Sequence, residues 1–255
     1  MSPTHSSAAA ASSSPLSFFQ ALHSAFTDTM QARQHQPALI DGLLAQAFDS
    51  FEGNVALQAE DEPPLDCGRG CAACCTLRVT ATAPEVLLVA RFLRAVQPAL
   101  LQRGIDLVGQ LRAADAHTAG LDEAQRVQQR QRCPFIAQGV CVIYRVRPLA
   151  CRGHASHDRH ACAEAAAGRR AEVPYSQAHR LVRSLVQNAL QSALRDAGQA
   201  WGLYELNHAL LMALDDPDSE ARWLAGEMVF AEAQVSEVSA TEMAQVFDQL
   251  KAAPH

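Results

Sequence analysis

The sequence predicts a mainly α fold, with helical flanks around a small, irregular, cysteine-rich core that carries a short β-hairpin. Three observations lead there. Aromatic residues make up only 5% of the chain while Ala, Leu and Gln abound, a balance that favours helix over sheet. Apolar residues recur at helical spacing along most of the chain. All eight cysteines fall between Cys67 and Cys162, where that periodicity lapses. At 255 residues the chain can bury a substantial core in one or two domains.

The elements follow in order. Residues 1–15 are a Ser/Ala stretch that reads as a disordered tail. Across 16–60, Phe18, Phe19, Leu22, Phe26 and Met30 recur at helical spacing and the pattern breaks near Gln36-Pro37, predicting two amphipathic N-terminal helices. Asp61-Glu62-Pro63-Pro64 ends that pattern and opens the cysteine segment, 61–170. Within it, Thr82-Ala83-Pro84-Glu85 combines a capping box with an early proline. The helix it starts should run through Val96 and stop at Gln97-Pro98. A further helical stretch spans about 98–131, with a break near Gly120. Cys133–Tyr144 is the one segment that reads as a hairpin, with its turn near Gln138-Gly139. From 171 to 255 the chain is helical again, over about 176–198, 201–214, 218–232 and 240–251, and Ser219 is a candidate cap.

Charge and hydropathy exclude several function classes. The formal charge is −6, which gives no reason to expect nucleic acid. No apolar run approaches the roughly 18 residues a membrane helix needs, so no membrane partner is expected. The first residues lack the basic n-region and continuous apolar core of an export signal. The cytoplasm is therefore the expected location, and structural disulfides are disfavoured there. Eight cysteines in a reducing compartment point toward metal.

The spacing supports that reading. Four cysteines fall in nine residues, as Cys67-Gly-Arg-Gly-Cys71-Ala-Ala-Cys74-Cys75. A Cys-x-x-Cys unit such as Cys71 and Cys74 can turn two sulfurs toward one metal. Gly68 and Gly70 allow the backbone angles of a tight loop. Adjacent Cys74 and Cys75 should point apart, so they would serve two neighbouring metals, or one would be a ligand and the other would pack. Cys133 and Cys141 flank the hairpin, Cys151 follows Pro148, which can start a short helix, and Cys162 closes the set. His154, His157 and His160 are spaced three apart and could share a helix face, which makes His154 a candidate extra ligand. Arg147 and Arg152 are candidates to support the sulfurs or nearby carbonyls.

These residues carry a resemblance. Cys67-x3-Cys71-x2-Cys74-Cys75, followed by Cys133-Pro-Phe-x4-Val-Cys141-x-Ile-Tyr144-x-x-Arg147-Pro148-x-x-Cys151-Arg152, resembles the YkgJ or CxxCxxCC cysteine-cluster family over about residues 65–155. That family is described as chelating zinc or iron. The resemblance implies a metal ion as the ligand, zinc or iron, with an iron–sulfur cluster as one form. The chain departs from the family pattern in having three residues, not two, between Cys67 and Cys71. A similar cysteine pattern occurs in flagellin lysine-N-methylases, where it is linked to an iron–sulfur cluster, but no glycine-rich nucleotide loop follows a strand here.

The expected function is therefore metal binding, with a metal-handling or structural role. The alternative is an iron–sulfur redox or protein-modifying enzyme using the same cysteines. No general base, nucleophile triad or phosphate loop is evident, so a non-enzymatic role is favoured. Seven arginines between Arg126 and Arg159 stand against one acid, Asp158. They form either a solvated face, an offset to thiolate charge, or a docking patch. A protein partner would meet that stretch or the helical flanks.

Overall fold

The computed structural model describes residues 14–68, 70–169, 172–237 and 239–254. Of the described residues 61% are helical, as the scarcity of aromatics and the abundance of Ala, Leu and Gln predict. Ser14 accepts the N–H of Ser17 at 3.1 Å and Pro15 sits in the first turn, so α1 (Pro15–Arg33) begins slightly before the expected start. The break at Gln36-Pro37 separates it from α2 (Ala38–Gln58). The remaining tail positions lie outside the described residues.

The irregular segment then leads into β1 (Thr80–Ala81) and α3 (Ala83–Leu101). The capping box forms as the sequence predicts. The predicted stop does not. Pro98 lies inside α3, which continues to Leu101. A proline forfeits one i→i−4 hydrogen bond, and here that loss falls in the final turn, where the helix is about to end anyway. The helical stretch expected from about 98 to 131, with its break near Gly120, holds after the end of α3 two helices separated at that break: α4 (Leu107–Thr118) and α5 (Glu123–Gln129). Asp106 and Asp122 cap them, and Gly120, at φ 74°, sits in the turn between.

The hairpin pairs β2 (Ile136–Ala137) with β3 (Val140–Cys141), antiparallel, with Ile136 opposite Cys141. Gln138 and Gly139 both have positive φ, 51° and 79°, the signature of a tight two-residue hairpin turn. Pro148 precedes α6 (Leu149–Arg152), and α7 (Arg159–Ala166) follows. Three corrections come after that. Beyond α8 (Gln177–Asp196), the stretch from 201 is not helical at first. Gly202 adopts φ 129°, and β4 (Tyr204–Glu205) pairs antiparallel with β1, a long-range contact invisible to local periodicity. Only then does α9 (Leu206–Asp215) begin. The helix expected over 218–232 is α10 (Ser219–Leu224), ended at Gly226 with φ 95°, and its cap position belongs to Asp218 rather than Ser219. The last helix is α11 (Ala240–Ala252).

Helix α8 is the hub, packing against α1, α2, α6 and α11, while α3 packs against α2, α4 and α9. One continuous apolar core runs from Phe19 and Phe26 through Phe135, Ile143 and Leu149 to Trp223 and Phe247. The cysteine segment therefore contributes side chains to the same core as both flanks. Among the described residues no helix is long and apolar enough to cross a membrane.

Candidate metal centre

Four segments bring the eight cysteines together, and each is fixed by bonds that the sequence did not advertise. Glu85 is fully buried at the start of α3. It accepts the N–H and hydroxyl of Thr82 at 2.7 and 2.8 Å, and its other oxygen accepts the N–H of Leu149 at 2.7 Å. One carboxyl group thus joins the N-termini of α3 and α6, and α6 carries Cys151. The opposite side of α6 is set by a close approach. A Cβ on Gly153 would stand 2.5 Å from Cβ and Cγ of Arg183 on α8 and 3.2 Å from the His179 carbonyl oxygen. Gly153→Ala is accordingly expected to cost about 1–3 kcal/mol as the two helices are forced apart. Denaturant titration of the variant measures it, and an unchanged midpoint would show that this contact does not set the position of α6.

The loop bearing Cys71, Cys74 and Cys75 is a chain of tight turns, with Cys75 N–H bonded to Ala72 and Leu77 N–H to Cys74. The Cys133 N–H donates to the Cys75 carbonyl at 2.7 Å, tying this loop to the base of the hairpin. A second tie involves Ser156, which is 1% exposed. Its N–H donates to the sulfur of Cys67 at 3.2 Å, its carbonyl accepts the Asp66 N–H at 3.1 Å, and its hydroxyl donates to the Pro174 and Asp158 carbonyls at 3.1 and 3.3 Å. Cys162 lies in α7, whose first turn is capped by Asp158.

The sulfurs sort into groups by the neighbours they feel. Cys67 senses Cys71, Cys74 and Cys162, and Cys162 senses Cys74 and Cys71. Cys151 senses Cys133, Cys141 and Cys74. Cys74 lies between the groups, with the Cys75 thiol beside it. This corrects the expectation that adjacent cysteines point apart. That alternation holds in extended chain, whereas the turn from Ala72 to Thr76 lets both sulfurs face one side.

The thiols resist ionisation where they stand. Burial pushes Cys133 up to about 11, and the neighbouring Cys141 and Cys74 add to the rise. Burial and the same crowding raise Cys151, and burial raises Cys67, Cys141 and Cys162. Cys74 is raised first by its bond to Cys75 and then by burial. Several groups pull the other way. The backbone N–H groups of Phe135 and Ile143 lower the pKa values of Cys133 and Cys141, and the Ser156 N–H, which donates to the Cys67 sulfur at 3.2 Å, does the same there. Such bonds favour the thiolate.

The arginines divide between two environments. Arg126, 4% exposed, pairs with Glu205 at 3.6 Å and lends positive charge to Cys133. Arg147 does so for Cys141 and Cys151 while lying over the Tyr144 ring. Arg152 is buried and binds no sulfur. It donates to the carbonyls of Arg147 and Arg145 and to Glu52, and it stacks on Phe48. Arg130, Arg132, Arg145 and Arg159 are exposed. The three histidines do not share a helix face, because residues 153–158 are irregular and only His160 enters α7. His154 packs edge-on against Tyr175 at 4.8 Å, and His157 lies 3.5 Å from Glu62. Sequence reasoning missed Glu85 as a link to α6, and it missed Ser156 and Arg126 altogether. Each acts across a distance in sequence that no local motif reveals.

All eight cysteines are free of disulfides. Among the described residues no group of three or more His, Cys, Asp or Glu side chains is placed so that it could hold a metal ion. The chemistry of the donor set nonetheless suits a thiophilic metal: eight free thiols come from four segments, one sulfur accepts a backbone N–H, and Arg126 and Arg147 lend positive charge.

Residues 66–172 match the profile of the CxxCxxCC family, whose description is "putative zinc- or iron-chelating domain". No curated protein and no solved structure matches the chain.

Proposed function

Starting from a segment, 66–172, that carries the CxxCxxCC domain, we propose that the protein binds zinc or an iron–sulfur cluster through Cys67, Cys71, Cys74, Cys75, Cys133, Cys141, Cys151 and Cys162. The unit that does so is the cysteine segment 61–170, held between the N-terminal helices 16–60 and the C-terminal region 171–255. The role is metal handling or structural stapling, not catalysis. One observation carries the reading: thiols from separate segments stand close enough to raise one another's pKa values, while the Ser156 N–H donates to the Cys67 sulfur at 3.2 Å. An arrangement that crowds thiolates and also provides donors for them is stabilised by a cation placed among them. Bound metal would supply that charge and fix the irregular loops. Arg126 and Arg147 would offset what negative charge remains, since a four-thiolate zinc unit carries about −2. A reducing compartment such as the cytoplasm would keep the thiols available.

The test is metal content and visible absorbance of protein purified without oxygen, beside a Cys71→Ser/Cys141→Ser variant. Bound zinc without colour, diminished in the variant, is the expected result for a thiolate zinc protein. Iron with acid-labile sulfide and a brown spectrum would identify the cluster form. Absence of metal from both preparations would overturn the proposal.

A further inference from the structure

We infer that a groove along α8 is a binding site for a medium-chain fatty acid, its carboxylate held by Arg180 and Arg183 and its alkyl tail by the apolar edge of α1. No cysteine lines the groove, and the site does not depend on the metal-binding reading above.

The groove is two depressions in series. The first, of 170 Å³, lies where Pro15 and Phe18 of α1 meet Leu181 and Leu185 of α8. The second, of 580 Å³, lies over the first turns of α8, beside Arg180 and Arg183. Gln58 and Leu181 line both, so the groove is apolar at one end and basic at the other. Together the two fall within the range of about 300–1,000 Å³ typical of small-molecule sites. Leu181 is 43% exposed at the junction, apolar surface that the fold itself leaves uncovered.

The basic end lacks counter-charge. Arg183 donates to the side-chain carbonyl of Gln187 at 2.9 Å, and Arg180 stands 5.8 Å from the centre of the Tyr175 ring. Among the described residues neither forms an ion pair, whereas Arg91 pairs with Asp41 and Glu220, and Arg195 with Asp248. Burial holds Arg183 below its ordinary range, and the charge of Arg180 lowers it further. Two cations that oppose each other beside a cleft are stabilised by an anion bound there.

Glu62 sets the charge of that anion. It lines the same end, but its oxygens are engaged, one by the Ser176 hydroxyl and the other by the Ala178 N–H at 2.8 Å. Two arginines and one carboxylate are the charged groups lining this end. They leave a single net positive charge, which a carboxylate balances and a doubly charged phosphate overshoots. Guanidinium groups also match the planar fork of a carboxylate. An alkyl tail running from there would cover Leu181 and enter the apolar end.

Isothermal titration calorimetry of the full-length protein with octanoate tests the site, beside acetate, octanol and inorganic phosphate. One octanoate per chain is expected. Acetate should bind at least about tenfold more weakly, since burying even two methylenes is worth about that factor. Octanol should also lose about tenfold or more, because it forfeits the charge-assisted bonds. An Arg180→Gln/Arg183→Gln variant keeps the Arg183 Cβ and Cγ that stand against Gly153, and it should lose about tenfold or more in octanoate affinity. Leu181→Asn should weaken octanoate while leaving acetate unchanged. Far-UV circular dichroism confirms that the variants fold. Should the double variant fail to fold, Arg180→Gln and Leu181→Asn, both at exposed positions, decide. Absence of octanoate binding, or equal affinity in the folded variants, would overturn the site. Acetate or phosphate binding as tightly as octanoate would refute the alkyl subsite, and octanol doing so would refute the role of the arginines.

Discussion

Chelation should lower the melting temperature of the protein by about 10 °C while leaving most of its helical signal in place. The size follows from linkage. A ligand held at about a thousand times its Kd stabilises the folded state by roughly 4 kcal/mol, and each kcal/mol moves the melting point of a chain this long by about 2–4 °C. The affected residues are chiefly the turns around Cys67–Cys75, a loop that contributes no fully buried apolar side chain to the core. The helices should persist, because α1, α2, α3 and α8 share a core of buried aliphatic and aromatic side chains, with Cys133 and Cys141 only packed against it. Thermal denaturation with and without a high-affinity chelator, followed by far-UV circular dichroism, gives both readings. An unchanged melting point would remove the stapling role. Complete loss of helix would show that the whole fold, and not the cysteine segment alone, depends on metal.

The second large effect is expected at Glu85. Replacing it with alanine leaves two buried N–H groups, of Thr82 and Leu149, and the Thr82 hydroxyl without their acceptor. Unsatisfied buried donors cost about 1–3 kcal/mol each, and the opened space adds to this, so Glu85→Ala should lose about 3–5 kcal/mol in denaturant unfolding. The loss should fall with it on the anchoring of α6. A cost below 1 kcal/mol would mean that α6 is positioned by its packing on α8 instead.

Glu85→Gln separates charge from shape. Burial raises the Glu85 carboxyl above its ordinary range, against the pull of the Leu149 and Thr82 donors and Arg152. A carboxyl raised by folding stabilises the folded state below its unfolded value, about pH 4.3, and that contribution is lost as pH rises through the folded value. The glutamine variant should therefore show a flatter stability profile above pH 4.3 than the parent chain. Identical profiles would place the titration elsewhere.

Much of this protein was legible in its sequence because the signals were local. Helical periodicity around Phe19–Met30, the Thr82–Glu85 capping box and the Gln138-Gly139 turn all depend on residues within one or two turns of chain, where propensity and hydrogen bonding act directly. The cysteine spacing announced thiolate chemistry for the same reason, since a Cys-x-x-Cys loop needs only its own backbone. Tertiary structure decided the rest. It paired Thr80–Ala81 with Tyr204–Glu205, more than a hundred residues apart, so a segment read as helix became a strand. It let Pro98 stand inside a helix, where local rules placed an end. It turned Cys74 and Cys75 to one side, set the Ser156 N–H on the Cys67 sulfur, and buried Arg126 where its charge reaches Cys133. These are long-range choices: each hydrogen bond or charge contact exists only because packing elsewhere brings its partners within reach.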